Sequence, residues 1–357
     1  MLAITALVAC QQKEKGFKIT ATEIPLEDST LLYVYDDSKN QVVDSLMVFD
    51  GSFSYEGKVD SFVKLWFRTK YYKQYKPFWV ENSKITLTGV NDTFFDAQVE
   101  GSRIQAQSDA YSQSYQHWSK KLSRLEERYM KSTQKDTFDL KLFRQKRKHL
   151  KDTIQKKKKA FLLAHPGYEL SSYFLGFLKH DIPKAETREI FNQLNPEVQN
   201  NAWGKTLQIY LDKAVQYKVG DTPIDISLPD LNREIRNLYD YRGNYVLLEF
   251  WGSGCYPCRM ENPHLRKLYN TYKQQGFEIY GVSLDEQKKY WAKAVKEDSI
   301  NWVTVSDLEG FRGVVPLSFS ISYIPKNYLL NPEGKIIAMD LHSKKLKEEL
   351  ETIFADN

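Results

Sequence analysis

Apolar and polar residues alternate along positions 16–101 at the two-residue period that turns one face of a strand inward. Thr30-Leu31-Leu32-Tyr33-Val34-Tyr35, the run from Val42 to Val48 and the alternating Phe53-Ser54-Tyr55 predict strands, with Phe49-Asp50-Gly51-Ser52 as the turn between the last two. Further strands are predicted at Phe62 to Phe67, Phe78 to Val80 and Ile85 to Thr88. Short strands at this spacing, parted by Gly and Asp turns, predict a small antiparallel β-sandwich over 16–102. From 103 to 219 the apolar positions recur at three- and four-residue steps, as at Leu122, Leu125 and Tyr129 and again at Phe143, Leu150 and Ile154. That segment reads as a helical connector, broken at His165-Pro166-Gly167 and continued by helices near 169–180, 184–193 and 201–217. It ends at the turn-rich Val219-Gly220-Asp221-Thr222-Pro223. Residues 220–357 alternate strand and helix: strands at Tyr245–Trp251 and Glu278–Ser283, helices at 257–275 and 286–298, a strand pair at Asn327–Leu330 and Lys335–Asp340, and a last helix near 344–354. The alternation predicts an α/β domain, with Asn331-Pro332-Glu333-Gly334 turning its terminal hairpin.

Charge separates the two halves. Residues 220–357 hold 17 Lys and Arg against 20 Asp and Glu, whereas 1–219 hold 34 against 26. Sixteen of those basic residues lie in 119–159 with only five acids, including Lys156-Lys157-Lys158-Lys159. Such a run attracts anionic lipid headgroups or an acidic partner, or it forms a solvated helix face. The intact apolar stripe favours the solvated face, and without interleaved aromatic rings no nucleic-acid partner is expected.

The first fifteen residues form a separate tether. Met1 to Cys10 is an apolar run ending in small residues and one cysteine, followed by Gln11-Gln12-Lys13-Glu14-Lys15. Leu7-Val8-Ala9-Cys10 resembles the lipobox that ends a bacterial lipoprotein signal peptide. The resemblance implies lipidation at Cys10, a lipid anchor to a membrane and a location in the cell envelope facing the periplasm. Beyond it no apolar run approaches the ~20 residues of a spanning helix.

The candidate chemistry is a dithiol. Three cysteines are too few for a disulfide-stapled scaffold, and with Cys10 lipidated only Cys255 and Cys258 are left to pair. They sit three apart where a buried strand turns into a helix. The first lies at the positive end of the helix dipole, where free backbone N–H groups stabilise a thiolate. Pro257 suits the first helical turn, because its missing N–H is not needed there. Other readings remain: half of a zinc site, although His117, His149, His165, His180, His264 and His342 supply no second paired cluster; an inert disulfide closing a short loop; or a peroxidatic cysteine. No metal and no cofactor is expected.

Leu248-Glu249-Phe250-Trp251-Gly252-Ser253-Gly254-Cys255-Tyr256-Pro257-Cys258-Arg259 resembles the active-site signature of thioredoxin-fold proteins of the TlpA/ResA type, membrane-tethered thiol–disulfide oxidoreductases. The likeness continues through Glu261-Asn262-Pro263, Trp302 to Asp307 and Tyr323-Ile324-Pro325-Lys326-Asn327, and covers about the last 138 residues. One departure is Gly254, where the family usually carries Trp. Val43-Asp44-Ser45, Asp50-Gly51-Ser52-Phe53 and Val99-Glu100-Gly101-Ser102 resemble the uncharacterised β-domain often placed ahead of such domains. The resemblance implies Cys255 as the attacking thiol, Cys258 as the resolving thiol, Trp251 as a supporting residue, and Pro325 as a cis-proline facing the dithiol. The backbone of Ile324 would then pair with an extended substrate.

Two carboxylates are candidates for proton handling. Glu249 interrupts an apolar strand six residues before Cys255, where thioredoxins place a buried acid; otherwise it is an edge-strand acid reaching solvent. Glu261 stands one helical turn after Cys258, matching a functional Glu of ResA-like proteins; otherwise it is an exposed first-turn acid complementing the helix dipole. The expected function is exchange of disulfides with protein substrates, in the reducing direction, with a membrane-linked electron donor. The alternative is a binding or scaffolding lipoprotein with a vestigial redox domain, for which Trp66 to Tyr75 offers an aromatic surface. Peroxide reduction is a further enzymatic option.

Overall fold

The two-residue alternation becomes eight strands in a computed structural model that describes residues 15–132 and 139–355. They are β1 (Phe17–Thr22), β2 (Leu31–Asp36), β3 (Gln41–Met47), β4 (Phe53–Gly57), β5 (Val63–Arg68), β6 (Tyr75–Val80), β7 (Lys84–Thr88) and β8 (Gln98–Glu100). Two four-stranded sheets, ordered β4-β1-β7-β8 and β3-β2-β5-β6, enclose a core that includes Ile19, Leu32, Val34, Phe67, Phe78 and Ile85. Pairing is antiparallel except between β1 and β7, which run parallel. Helices α1 (Arg103–Lys131), α2 (Leu140–Ala164), α3 (Ser171–Leu178), α4 (Lys184–Gln193) and α5 (Pro196–Asn200) follow. Ser102 caps α1 by accepting from the Gln105 N–H at 3.0 Å, and its hydroxyl reaches the Trp79 carbonyl at 3.0 Å, which fixes the helix to the sandwich. Of the described α2 side chains only Phe161 and Leu162 are buried, so the basic run is a solvated face, paired locally by Arg147–Glu126 at 2.7 Å and Lys148–Asp152 at 2.6 Å.

The helices do not form a separate connector over 103–219. The chain divides into two compact units, Met1–Asn201 and Ala202–Asn357, so α1 to α5 belong with the sandwich and α6 (Ala202–Lys213) with the C-terminal unit. The physical reason lies in side chains on both sides of the divide. Trp79 of β6 packs edge-on against Tyr173 of α3 at 4.9 Å. After α6, the Tyr217 ring packs on Phe319 and Tyr328, deep in the C-terminal core.

That unit continues with β9 (Ser227–Pro229), β10 (Ile235–Asn237), β11 (Tyr245–Trp251), α7 (Tyr256–Tyr272), β12 (Phe277–Ser283), α8 (Lys288–Glu297), β13 (Val303–Val305), α9 (Val314–Ser318), β14 (Lys326–Leu330), β15 (Ile336–Met339) and α10 (Ser343–Phe354). β9 and β10 pair with each other, and the others form a sheet ordered β13-β12-β11-β14-β15, parallel from β13 to β11 and antiparallel from β11 to β15. β11 lies in the middle and is buried on both faces. Val246, Leu248 and Phe250 pack on one side with Phe319 and Tyr328. Leu247 packs on the other with Leu265 and Leu268 of α7 and Leu350 of α10. Alternation puts Glu249 and Trp251 on that second face, under α7. At the β14–β15 turn Gly334 has φ +82°, a left-handed conformation that favours glycine.

Candidate active site

The dithiol stands where β11 hands over to α7. Cys255 is the N-cap residue of α7, extended at φ −83° and ψ 98°, and Pro257 occupies the first turn as its missing N–H predicts. The Cys258 backbone N–H donates to the Cys255 sulfur at 3.2 Å. The two cysteines are disulfide-bonded, with Cα atoms 5.3 Å apart. Cys258 is fully buried beside Trp251, Trp291 and Ala294, whereas Cys255 is half-buried at the edge of that cluster. A thiolate at Cys255 thus faces solvent at a helix N-terminus, and its partner lies behind it in an apolar setting.

The Ile324–Pro325 peptide bond is cis, as the family resemblance implied. Ile324 packs on the Trp251–Cys258 cluster, and its Cδ1 stands 3.3 Å from where a Cβ on Gly252 would project. Gly254 differs: nothing lies within 4 Å of a Cβ built there. The position next to Cys255 is open space, so the absent Trp leaves the approach uncovered without disturbing the frame.

Glu249 is not an edge-strand acid. Its residue pairs with Gly281 on one side and Asn327 on the other, and only 3% of it is exposed. Burial first, and the charge of Glu261 second, push its carboxyl up to about 8. Glu261 in turn is half-buried rather than exposed: its carboxylate accepts from the Ser343 N–H at 3.0 Å and the Ser343 hydroxyl at 2.7 Å, closing the N-terminus of α10. A helix N-terminus draws an anion, and α10 has no side-chain cap of its own.

Three supports escaped the sequence reading. Asp285 accepts from the Ser253 N–H at 3.0 Å, from the Ser253 hydroxyl and from the Ser283 hydroxyl at 2.7 Å, which pins the loop before Cys255. Arg259 forks onto Asp298, with Nη2 at 2.7 Å and Nε also donating, while its Nη1 reaches the Ser253 carbonyl at 3.3 Å. Thr304 receives the indole N–H groups of Trp251 and Trp291 at 3.3 and 3.2 Å. One signal was available: Asp285 follows β12 by two residues, at the carboxyl ends of parallel strands, where α/β sites form. Among the described residues no group of three or more His, Cys, Asp or Glu side chains is placed to hold a metal. Cys10 lies outside the described residues.

A five-stranded sheet carrying a dithiol at a helix N-terminus, with the residue before a cis-proline packed on the same cluster, defines a thioredoxin-fold thiol–disulfide oxidoreductase. The AhpC/TSA family model matches residues 219–339, and a domain of unknown function, DUF4369, matches 17–107. Thiol-disulfide oxidoreductase ResA of Bacillus cereus is 30% identical over 171 residues, 46% of this chain and 94% of that protein. ResA of Geobacillus thermodenitrificans is 33% identical over 138 residues, 38% of this chain and 78% of that protein. The thioredoxin domain of a thiol-disulfide oxidoreductase from Bacteroides vulgatus is 38% identical over 39% of this chain and 99% of its own, with a TM-score of 0.37. The chain belongs to the ResA family of thiol–disulfide oxidoreductases.

Proposed function

We propose that the chain reduces protein disulfides in the cell envelope, with Cys255 as attacking thiolate and Cys258 as resolving thiol. In this reading it is held to a membrane by lipid on Cys10 and re-reduced by a membrane-linked donor. The hydrogen bond from the Cys258 N–H to the Cys255 sulfur carries the assignment, because the same donor, at the positive end of α7, stabilises a thiolate on Cys255. Attack by that thiolate on a substrate disulfide forms a Cys255–substrate bond and releases the first substrate thiolate, which takes a proton from solvent. Cys258 then gives up its proton and attacks the Cys255 sulfur. The second substrate thiolate leaves, and the Cys255–Cys258 disulfide forms. Two electrons and two protons from the donor restore the dithiol.

Glu249 is the proton acceptor in this scheme. With its carboxyl pushed up to about 8, the fraction of Glu249 that is ionised, which grows as pH rises toward 8, is the base that takes the proton from Cys258. Glu261 holds α10 and, through its charge, keeps Glu249 high.

Replacing Cys258 by Ala leaves Cys255 able to attack but unable to resolve, so covalent complexes with substrates accumulate and disappear on adding reductant. Complexes persisting in a Cys255→Ser variant overturn the choice of nucleophile. Reducing direction requires a potential nearer thioredoxin's about −270 mV than the about −120 mV of a strong oxidant. Mass spectrometry of the exported protein finds acyl mass on Cys10 if the anchor is real, and an unmodified Cys10 removes it.

A further inference from the structure

The sandwich unit holds a cleft of about 520 Å³ formed by β5, β6, α1, α2 and α3. Three ammonium groups line it. Lys76 Nζ donates to the Phe95 carbonyl at 2.9 Å, Lys64 Nζ stands 5.8 and 6.0 Å from the Trp79 and Tyr173 rings, and Lys158 Nζ stands 4.8 Å from the Tyr115 ring. Among the described residues none of these lysines makes an ion pair within 4 Å. Two carboxylates act on Lys76: Asp109, held by the Gln105 amide at 2.7 Å, and Asp96. Gln105 is fixed in turn by accepting from the Trp79 N–H at 2.8 Å.

Two features mark this as a built site. Lys76 and Asp109 are both half-buried, and each feels the other's charge without touching it. Desolvation lowers the Lys76 ammonium, offset only in part by the charges of Asp109 and Asp96, and raises the Asp109 carboxyl, offset only in part by the Gln105 hydrogen bond and the Lys76 charge. Lys76 and Asp109 are held by neutral groups and not by each other, so neither charge is neutralised by a contact, and the open cleft beside them has room for a charged ligand. The second feature is flat apolar surface beside the charges. Phe95 and Phe177 are 50% and 61% exposed, Tyr173 packs on both Trp79 and Phe177 at 4.9 Å, and Tyr111 stacks on Phe174 at 3.9 Å. Three ammoniums against the two carboxylates of Asp109 and Asp96 favour an anion, and flat rings favour a ligand with a flat face.

We propose that this cleft binds a small ring-bearing organic carboxylate, with the anion at Lys76 and Lys158 and the ring against Tyr173 and Phe177. The site is separate from the dithiol chemistry and does not depend on it. An aromatic acid and a sugar acid share this chemistry, so both serve as probes: 4-hydroxybenzoate and D-glucuronate, each beside its uncharged amide.

The test is calorimetric titration of the full chain at low ionic strength, with tryptophan fluorescence as a second readout. One of the acids should bind at least about tenfold tighter than its amide, and Lys76→Gln should weaken it by a similar factor, as expected for loss of one charge-assisted contact. Asp109→Asn should tighten it, since the carboxylate that lines the cleft is removed. A folding defect cannot produce gain in one variant and loss in the other, and disulfide exchange should be unchanged in both. Whichever acid binds identifies the ligand class as aromatic or saccharide. No binding of either acid up to about 10 mM, equal binding of acid and amide, or weakening by Asp109→Asn each overturns the proposal.

Discussion

Replacing Glu249 by Gln keeps the shape of a buried side chain and removes its ability to ionise, so the variant isolates the free energy of placing that charge under α7. In the folded chain the carboxyl is pushed from 4.5 up to about 8, first by burial and then by Glu261. A folded value above the unfolded one means the native state holds the proton more tightly, so stability is full below pH 4.5 and is lost as pH rises toward 8. At 1.36 kcal/mol per unit, the loss is about 3 kcal/mol by pH 7 and about 5 kcal/mol above pH 8. Glu249→Gln should therefore match the native chain at pH 4 and exceed it by several kcal/mol at pH 8. Guanidinium unfolding of the full chain, read by pulsed hydrogen-exchange mass spectrometry on peptides covering residues 245–251, reports this strand by itself. The stability difference should climb between pH 5 and 8 and then level. A difference that stays flat from pH 5 to 9 would show that Glu249 ionises normally, and the proton-transfer role would go with it. The variant should also resolve the mixed disulfide more slowly in stopped-flow mixing, so stability and activity move in opposite directions.

Glu261→Ala leaves the Ser343 N–H and hydroxyl without their acceptor, and thermal unfolding of the C-terminal unit should show a loss of about 1 kcal/mol, typical of a missing helix cap. Arg259→Met strips Asp298 of its fork and frees the Ser253 carbonyl; a loss of about 2 kcal/mol is expected by denaturant titration, with faster hydrogen exchange at residues 252–256. Gly254→Trp places a ring in open space, so stability should stay within about 0.5 kcal/mol while exchange rates with different protein disulfides are re-ranked; a melting temperature lowered by many degrees would show that the space is closed. Thr304→Val removes the acceptor shared by the Trp251 and Trp291 indoles, and should cost about 2 kcal/mol with a red-shifted tryptophan emission.

Much of this protein is legible one residue after another. Period-two alternation marked most of the sandwich strands, three- and four-residue steps marked the long helices, and an apolar run broken by Gly252 to Cys258 marked the strand-to-helix turn on which the dithiol stands. These signals are local: a strand face, a helix stripe and an N-cap are each set by residues within one or two turns. The pairing of Cys255 with Cys258 was also legible from their spacing.

What neighbours in space decide lay outside that reach. Nothing along the chain says that β11 is central, so Glu249 read equally well as an edge acid until pairing with Gly281 and Asn327 enclosed it. Glu261 and Ser343 are 82 positions apart, and their contact exists only because α10 returns to α7. The place where the two units divide, within what reads as one run of helices, was settled by Trp79 meeting Tyr173 and by Tyr217 meeting Phe319. The lysine-lined cleft is assembled from five elements, none of which carries a motif for it. Sequence fixes which groups are present and their local conformation. Only the folded chain sets which charges lose their water and which partners they meet, because desolvation and Coulomb interaction depend on distance through space and not on separation along the chain.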